Sequence, residues 1–283
     1  YNETNGASGA FVVATTIAQG FNLGQPEEFP MLCSIYDALG EQGVLNAVAT
    51  ANAPINVDAE GDVPSGCSSN YLISVTNSDR NDELRSTAAF GAKSIDLSAP
   101  GSGTYTTTIN NLYNRAAGTS AAVPHVSGTI GLLYNYQSEA FINFAKNKPN
   151  DAALLLKSAI MNGTDELPSL EGKTVTGGRL NVLNSFLLLE EYTKGYGDSL
   201  LIINTFPSPA QDDLYIKYDS PVDDFDILIF NEIGQQIGLG TVSTNLVSTK
   251  TIHLNIASLQ NGVYFIVLQN DTQRLVQRFM VLK

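Results

Sequence analysis

A serine heads a run of small residues, GTSAAVPHVSG from Gly118 to Gly128, and no other stretch is better suited to covalent chemistry. The apolar residues Val126, Ile130, Leu132 and Leu133 follow it, so the stretch reads as the start of a helix. Thr119 or Ser120 can cap that helix, and Pro124 is expected to fall where first-turn N–H groups have no intrahelical acceptor. Gly128 and Gly131 each cost about 1 kcal/mol against Ala in a helix, which predicts that something packs closely there. A serine at the positive end of a packed helix suits a nucleophile, because its own N–H points at a developing oxyanion. It equally suits an ordinary N-cap.

A serine hydroxyl needs a base within hydrogen-bond reach, usually a histidine oriented by a carboxylate. The chain has two histidines, His125 and His253. His125 lies five residues past Ser120, more than about 100° around a helix, and points away from the hydroxyl. His253 falls in a different part of the chain. Asn52 follows a strand-like run, Val44 to Thr50, and can turn its amide into a crevice at the strand's carboxyl end or simply form a turn. Asp58, Glu60 and Asp62 could hold calcium, but their spacing follows no calcium-loop pattern, and a solvated acidic loop is the plainer reading. Cys33 and Cys67 are compatible with two buried thiols or with one disulfide.

The elements that must position these groups fall into two patterns. Phe11–Ile17 and Val44–Thr50 read as buried strands on either side of a helix over Met31–Gln42, a parallel βαβ unit. Tyr71–Thr76 and Ser94–Leu97 read as further strands, and Asp151–Met161 as an amphipathic helix. After Glu191 the composition changes. A linker, residues 194–203, is expected to lead into residues 204–283, where short apolar runs alternate with turn signals. These runs are Leu200–Phe206, Leu214–Tyr218, Phe225–Phe230, Ile237–Val242, Thr251–Leu254, Val263–Leu268 and Leu275–Leu282. They predict an antiparallel β-sandwich, with turns at Asn261-Gly262 and Gln269-Asn270-Asp271.

The net charge is −13, which supplies no basic footprint for nucleic acid. No apolar run approaches the roughly 18 residues of a membrane span.

Two resemblances sharpen this reading. The stretch GTSAAVPHV resembles the G-T-S-x-A-x-P-H-V signature of subtilisin-like serine peptidases, the subtilases. AVATAN, ending at Asn52, is similar to that family's A-x-A-G-N strand. FGAKSIDLSAPG and the GGRLN run of Gly177–Asn181 resemble the segments flanking the nucleophile helix, and Ala18-Gln19-Gly20 stands where the substrate backbone pairs. The resemblance implies a three-layer α/β domain over residues 1–193, with Ser120 as nucleophile and Asn52 as oxyanion donor. The family's histidine in P-H-V is structural, and its D-[ST]-G and H-G-T-H segments do not occur here. The chain is therefore expected to begin downstream of the triad Asp and His, and to be inactive alone. FPSPAQDDLYI, ILIFNEIGQQI, LNIASLQNGVYFIVLQND and the terminal FMVLK resemble the C-terminal sorting domain of type IX secreted proteins of Bacteroidota.

Together these imply a secreted or cell-surface serine endopeptidase. It would act on peptide or protein substrates, meet the type IX machinery through its tail and need no cofactor, with calcium unassigned. An oxidising exterior would favour a Cys33–Cys67 disulfide. The other reading is a non-catalytic surface binding protein on a decayed peptidase scaffold.

Overall fold

The computed structural model describes residues 10–136, 139–193, 201–219, 225–238, 243–248, 250–269 and 274–283. The chain divides into two compact units, Tyr1–Leu188 and Leu189–Lys283. The first is an α/β layer structure. In chain order it contains β1 (Ala14–Ile17), β2 (Phe21–Asn22), α1 (Pro30–Glu41), β3 (Leu45–Ala49), α2 (Val57–Glu60), β4 (Asp62–Val63), β5 (Leu72–Ser78) and β6 (Leu97–Pro100). There follow β7 (Ser102–Thr108), β8 (Leu112–Ala117), α3 (Thr119–Tyr136), α4 (Glu139–Asn147), α5 (Pro149–Asn162), β9 (Asp165–Glu166) and β10 (Gly178–Arg179). Helix α6 (Val182–Thr193) comes next in the chain.

The main sheet runs β1-β3-β5-β6-β10-β9. Strands β1, β3, β5 and β6 are mutually parallel, β10 is parallel to β6, and β9 is antiparallel to β10. Every residue of β3 (LNAVA) and of β5 (LISVTNS) is buried. A strand buried along its whole length is covered on both faces, so helices lie on either side of the sheet and three layers result. Helix α3 packs across β1, β3, β5 and β6, and α1 packs on β3 and α5. The polar residue inside β3 is satisfied: Asn46 accepts from the Thr15 hydroxyl at 2.7 Å and donates to the Val44 carbonyl at 3.2 Å.

Several elements differ from the sequence expectation. The first strand is shorter than Phe11–Ile17. The run Ser94–Leu97 is not a strand, because the Lys93 and Ser94 N–H groups turn to cap on Asp58, and β6 starts only at Leu97. Helix α4 and the β7–β8 hairpin were unforeseen. A Cβ at Gly128 or Gly131 would meet nothing within 4 Å, and Leu132 is exposed, so no close packing accounts for these glycines among the described residues. Cys33 and Cys67 form a disulfide across a sequence separation of 34. A loop of that length is worth roughly 3–4 kcal/mol in the chain-entropy account.

The second unit contains two four-stranded antiparallel sheets. One is ordered β11 (Leu201–Phe206), β12 (Asp213–Asp219), β16 (Thr251–Asn255), β15 (Ser243–Ser248). The other is ordered β14 (Gln236–Ile237), β13 (Asp226–Asn231), β17 (Gly262–Gln269), β18 (Arg274–Val281). Alternating residues of both sheets supply one core, which includes Leu214, Ile216, Tyr218, Ile229, Ile252, Leu254, Ile266 and Phe279. Of the run expected as a strand over Ile237–Val242, Ile237 ends β14. Residues 194–200 of the expected linker, residues 239–242 of that run, and Asn270 and Asp271 of the expected turn lie outside the described residues.

Candidate active site

Three segments converge at the carboxyl ends of the parallel strands, where an open α/β sheet binds its ligands. Ala18–Gly20 continues β1, Thr50–Asn52 continues β3, and Gly118 leads from β8 into α3. Gly118 has φ +117, a conformation that side chains rarely adopt, and a Cβ there would lie 2.9 Å from the Asn52 amide oxygen. Only glycine lets the chain turn into α3 while Asn52 stands this close.

The helix start is capped differently from the sequence expectation. The Thr119 hydroxyl donates to the Thr50 carbonyl at 2.6 Å, and the Ser120 hydroxyl donates to the Ala18 carbonyl at 3.2 Å. Neither serves the helix. The cap comes from another strand: the Thr119 N–H donates to Asn52 Oδ1 at 2.9 Å. Pro124 is not in the first turn but inside α3, and it has no N–H to give the Ser120 carbonyl. Ser120 is exposed at the site, with its own N–H among the first-turn donors that lack an intrahelical acceptor.

With its oxygen held by Thr119, the Asn52 amide leaves Nδ2 without a partner among the described residues, and Asn52 and Ser120 line one cleft. Two donors without a partner among the described residues, Asn52 Nδ2 and the Ser120 N–H, therefore belong to residues lining the same cleft as the serine hydroxyl. Unpaired donors beside a serine hydroxyl are the kind of group that can stabilise a negative oxygen formed there.

Ser120 stands between two concavities. The larger, about 380 Å³, is lined by Thr104, Tyr105, Pro124 and His125 and bounded by the β7–β8 hairpin. Tyr105 and Tyr113 stack across that hairpin with ring centroids 5.5 Å apart, and both are exposed. The smaller, about 80 Å³, lies between Ala18–Gly20 and Ala49–Asn52 and is lined also by Asp62. The alternation in TYTTT and LYNRA on either side of Asn110-Asn111 is a hairpin signal that the sequence carried.

Neither histidine bonds to Ser120. His125 lines the larger concavity, but its Nδ1 bonds back to the Ala121 carbonyl at 3.1 Å. His253 lies in the second unit, where its Nε2 donates to Asp213 Oδ1 at 2.6 Å and its ring stacks on Tyr215 at 4.8 Å. Among the described residues, the only partner of the Ser120 hydroxyl is the Ala18 carbonyl, which is no base.

The acidic loop is solvated at Asp58 and Glu60, which are exposed, while Asp62 is buried. Asp58 accepts from the Lys93 and Ser94 N–H groups, Glu60 from the Asn56 N–H at 2.8 Å, and Asp62 from the Ala51 N–H at 3.1 Å. Each carboxylate accepts a backbone N–H: Glu60 from its own turn, Asp58 and Asp62 from distant segments. Among the described residues, no group of three or more His, Cys, Asp or Glu side chains is placed to hold a metal ion.

Comparison with known proteins agrees with this architecture. The model of the subtilase family matches residues 12–186, and the model of the secretion system C-terminal sorting domain matches residues 204–282. The major intracellular serine protease of Bacillus subtilis is 32% identical over 120 residues, 42% of this chain and 37% of that protein. Thermitase of Thermoactinomyces vulgaris is 31% identical over 138 residues, 46% of this chain and 48% of thermitase. The matches thus span less than half the length of these relatives. A solved structure of the prenylagaramide maturation protease PagA aligns with a TM-score of 0.46 at 21% identity, over 66% of this chain and 65% of that one. No helix among the described residues is long and apolar enough to cross a membrane. The type IX sorting tail marks a protein sent to the cell surface or beyond, and the residues ahead of it make the chain a member of the subtilase family of serine peptidases.

Proposed function

We propose that this chain carries the nucleophile and oxyanion hole of a secreted serine endopeptidase. Ser120 attacks the scissile carbonyl, and Asn52 Nδ2 with the Ser120 N–H holds the oxygen that becomes negative. The observation that supports this most is the bond from the Thr119 N–H to Asn52 Oδ1, which leaves the amide NH₂ free beside the serine. An asparagine serving only as a turn residue has no need of that orientation.

The proton acceptor comes from outside these residues. His125 is committed to its own helix and His253 to Asp213. The chain by itself is then inactive or nearly so, limited to what binding and an oxyanion hole contribute without a base. The substrate is a peptide or protein met after export, and the partner in export is the type IX machinery, recognised through residues 204–282.

The test is turnover of a fluorogenic peptide by the full-length protein and its Ser120→Ala variant. The expected loss is on the order of 10⁶, a magnitude carried over from subtilisin. A variant within tenfold of wild type would remove Ser120 from the role.

A further inference from the structure

The smaller cleft beside Ser120 has one acidic residue in its lining, Asp62. Asp62 is 2% exposed and lies on β4, paired with Asn22 of β2, so backbone pairing fixes it in the lining of the cleft. It is the only ionisable residue among those lining the cleft. Both of its protein hydrogen bonds fall on one oxygen: Oδ2 accepts from the Ala51 N–H at 3.1 Å and from the Ser65 hydroxyl at 2.5 Å. Oδ1 has no partner, and no Lys, Arg or His among the described residues lies within 4.0 Å.

A buried carboxylate without a counter-ion is costly. An amide or hydroxyl could accept the same two hydrogen bonds at less cost, so these bonds alone do not explain the charge. The surroundings hold the carboxylate firmly. Close approach of Gly20 to the Val63 carbonyl, where a Cβ would come within 2.4 Å, seals the wall. Val63 and Cys67 pack with Tyr36, Val48 and Leu72, and the Cys33–Cys67 disulfide ties the segment after Asp62 to α1.

We propose that this cleft receives the side chain of the substrate residue that carries the scissile carbonyl, and that Asp62 makes it select arginine or lysine. The proposal rests on Ser120 being the nucleophile. A carbonyl carbon within bonding reach of Ser120 places its residue's side chain in a concavity adjoining Ser120, and the one shared with Asn52 is this cleft. Its narrow volume of about 80 Å³ favours an unbranched chain with a charged end over a broad aromatic ring. The cation supplies the missing counter-ion and a charge-assisted donor to Oδ1. An acid at the foot of a pocket beside a nucleophilic serine is a known device for selecting cationic side chains. The net charge of −13 draws basic peptides toward the molecule as well.

The experiment uses the full-length protein and five fluorogenic peptides that differ only in the residue before the scissile bond: Arg, Lys, Leu, Phe and Glu. The expected kcat/KM for Arg and Lys exceeds that for Leu and Phe on the order of 10²-fold, the scale of a buried charge pair. Asp62→Asn keeps an oxygen for the Ala51 N–H, so the fold is retained. It should bring the Arg and Lys peptides down to the Leu and Phe level while leaving Leu and Phe within about threefold, which also reports intact folding. Cleavage without a basic preference in the wild type, or a preference that survives Asp62→Asn, overturns this inference and leaves the peptidase reading standing. No cleavage of any of the five peptides overturns both.

Discussion

Among the described residues, the first unit has a serine beside unpaired hydrogen-bond donors with no histidine bonded to it; the second has a histidine bonded to a carboxylate with no serine bonded to that histidine. The difference shows how little a pair of residue types means without its surroundings. In the first unit the polar groups converge because parallel strands all end on one side. Asn52, Ser120 and Asp62 come from three separate segments and meet at one cleft. In the second unit His253 and Asp213 are partners on adjacent antiparallel strands, two residues off direct register, with Tyr215 opposite His253. Such a pair forms wherever two strands run side by side, and its ring stacks on Tyr215 within an aromatic row that begins at Phe206. The bond of 2.6 Å is good geometry in the service of a sheet surface.

The comparison can be broken by substitutions on either side of it. After loss of Ser120 itself, the largest effect should follow Asn52→Ala. Turnover is expected to fall roughly 10²–10³-fold with little change in KM, the range associated with one oxyanion donor in subtilisin. The same change removes the acceptor for the Thr119 N–H and should lower stability by about 0.5–2 kcal/mol, measurable by denaturant unfolding. A loss confined to KM would reduce Asn52 to a helix cap.

The smallest effect should come from the other side. His253→Ala is expected to leave kcat/KM within about twofold, because the pair serves its own sheet. Its cost is about 0.2–1 kcal/mol in the stability of the second unit, as for other cross-strand pairs. A large fall in turnover would show that the account of the two histidines is wrong.

Asp62 sharpens the contrast through pH. Burial pushes its carboxyl above the ordinary aspartate range, against smaller opposing contributions from Ser65 and Ala51. The preference for a basic residue should therefore fade, as pH drops, at a higher pH than an exposed aspartate would give. Cleavage of a Leu peptide should not share that dependence. For stability the sign is opposite: the raised value favours the folded state below the unfolded pKa, and that contribution is lost as pH rises through the folded one.

Much of this was legible in the sequence, for reasons that differ between the units. The buried runs of β3 and β5 and the helix over Pro30–Glu41 stand out because parallel sheets demand continuous apolar strands and amphipathic covers. The alternation in Leu214-Ile216-Tyr218 marked a half-buried strand, and all three face the sandwich core. Short, polar strands were less visible: Ser243–Ser248 reads STNLVS and carries little periodic signal. At the site, residue types near the motif could be named, but their aim could not. That Asn52 caps α3 in place of Thr119 depends on a contact 67 residues apart. Asp62 was hidden for the same reason. In the sequence it is the last of three acids in a polar loop, and only its pairing with Asn22 carries it into the cleft beside Ser120.

The most direct test of the central claim is the site of reaction with a serine-directed fluorophosphonate. The full-length protein, treated with the probe and digested, should carry the adduct on Ser120, as read by mass spectrometry, and prior loading with a cleaved peptide should slow its appearance. Residues Tyr1–Lys283 alone should remain unmodified over the same interval, since among the described residues the hydroxyl meets only the Ala18 carbonyl. An adduct on another serine of the full-length protein would contradict the assignment of the nucleophile. Rapid labelling of Ser120 in the isolated chain would contradict the claim that its base comes from elsewhere.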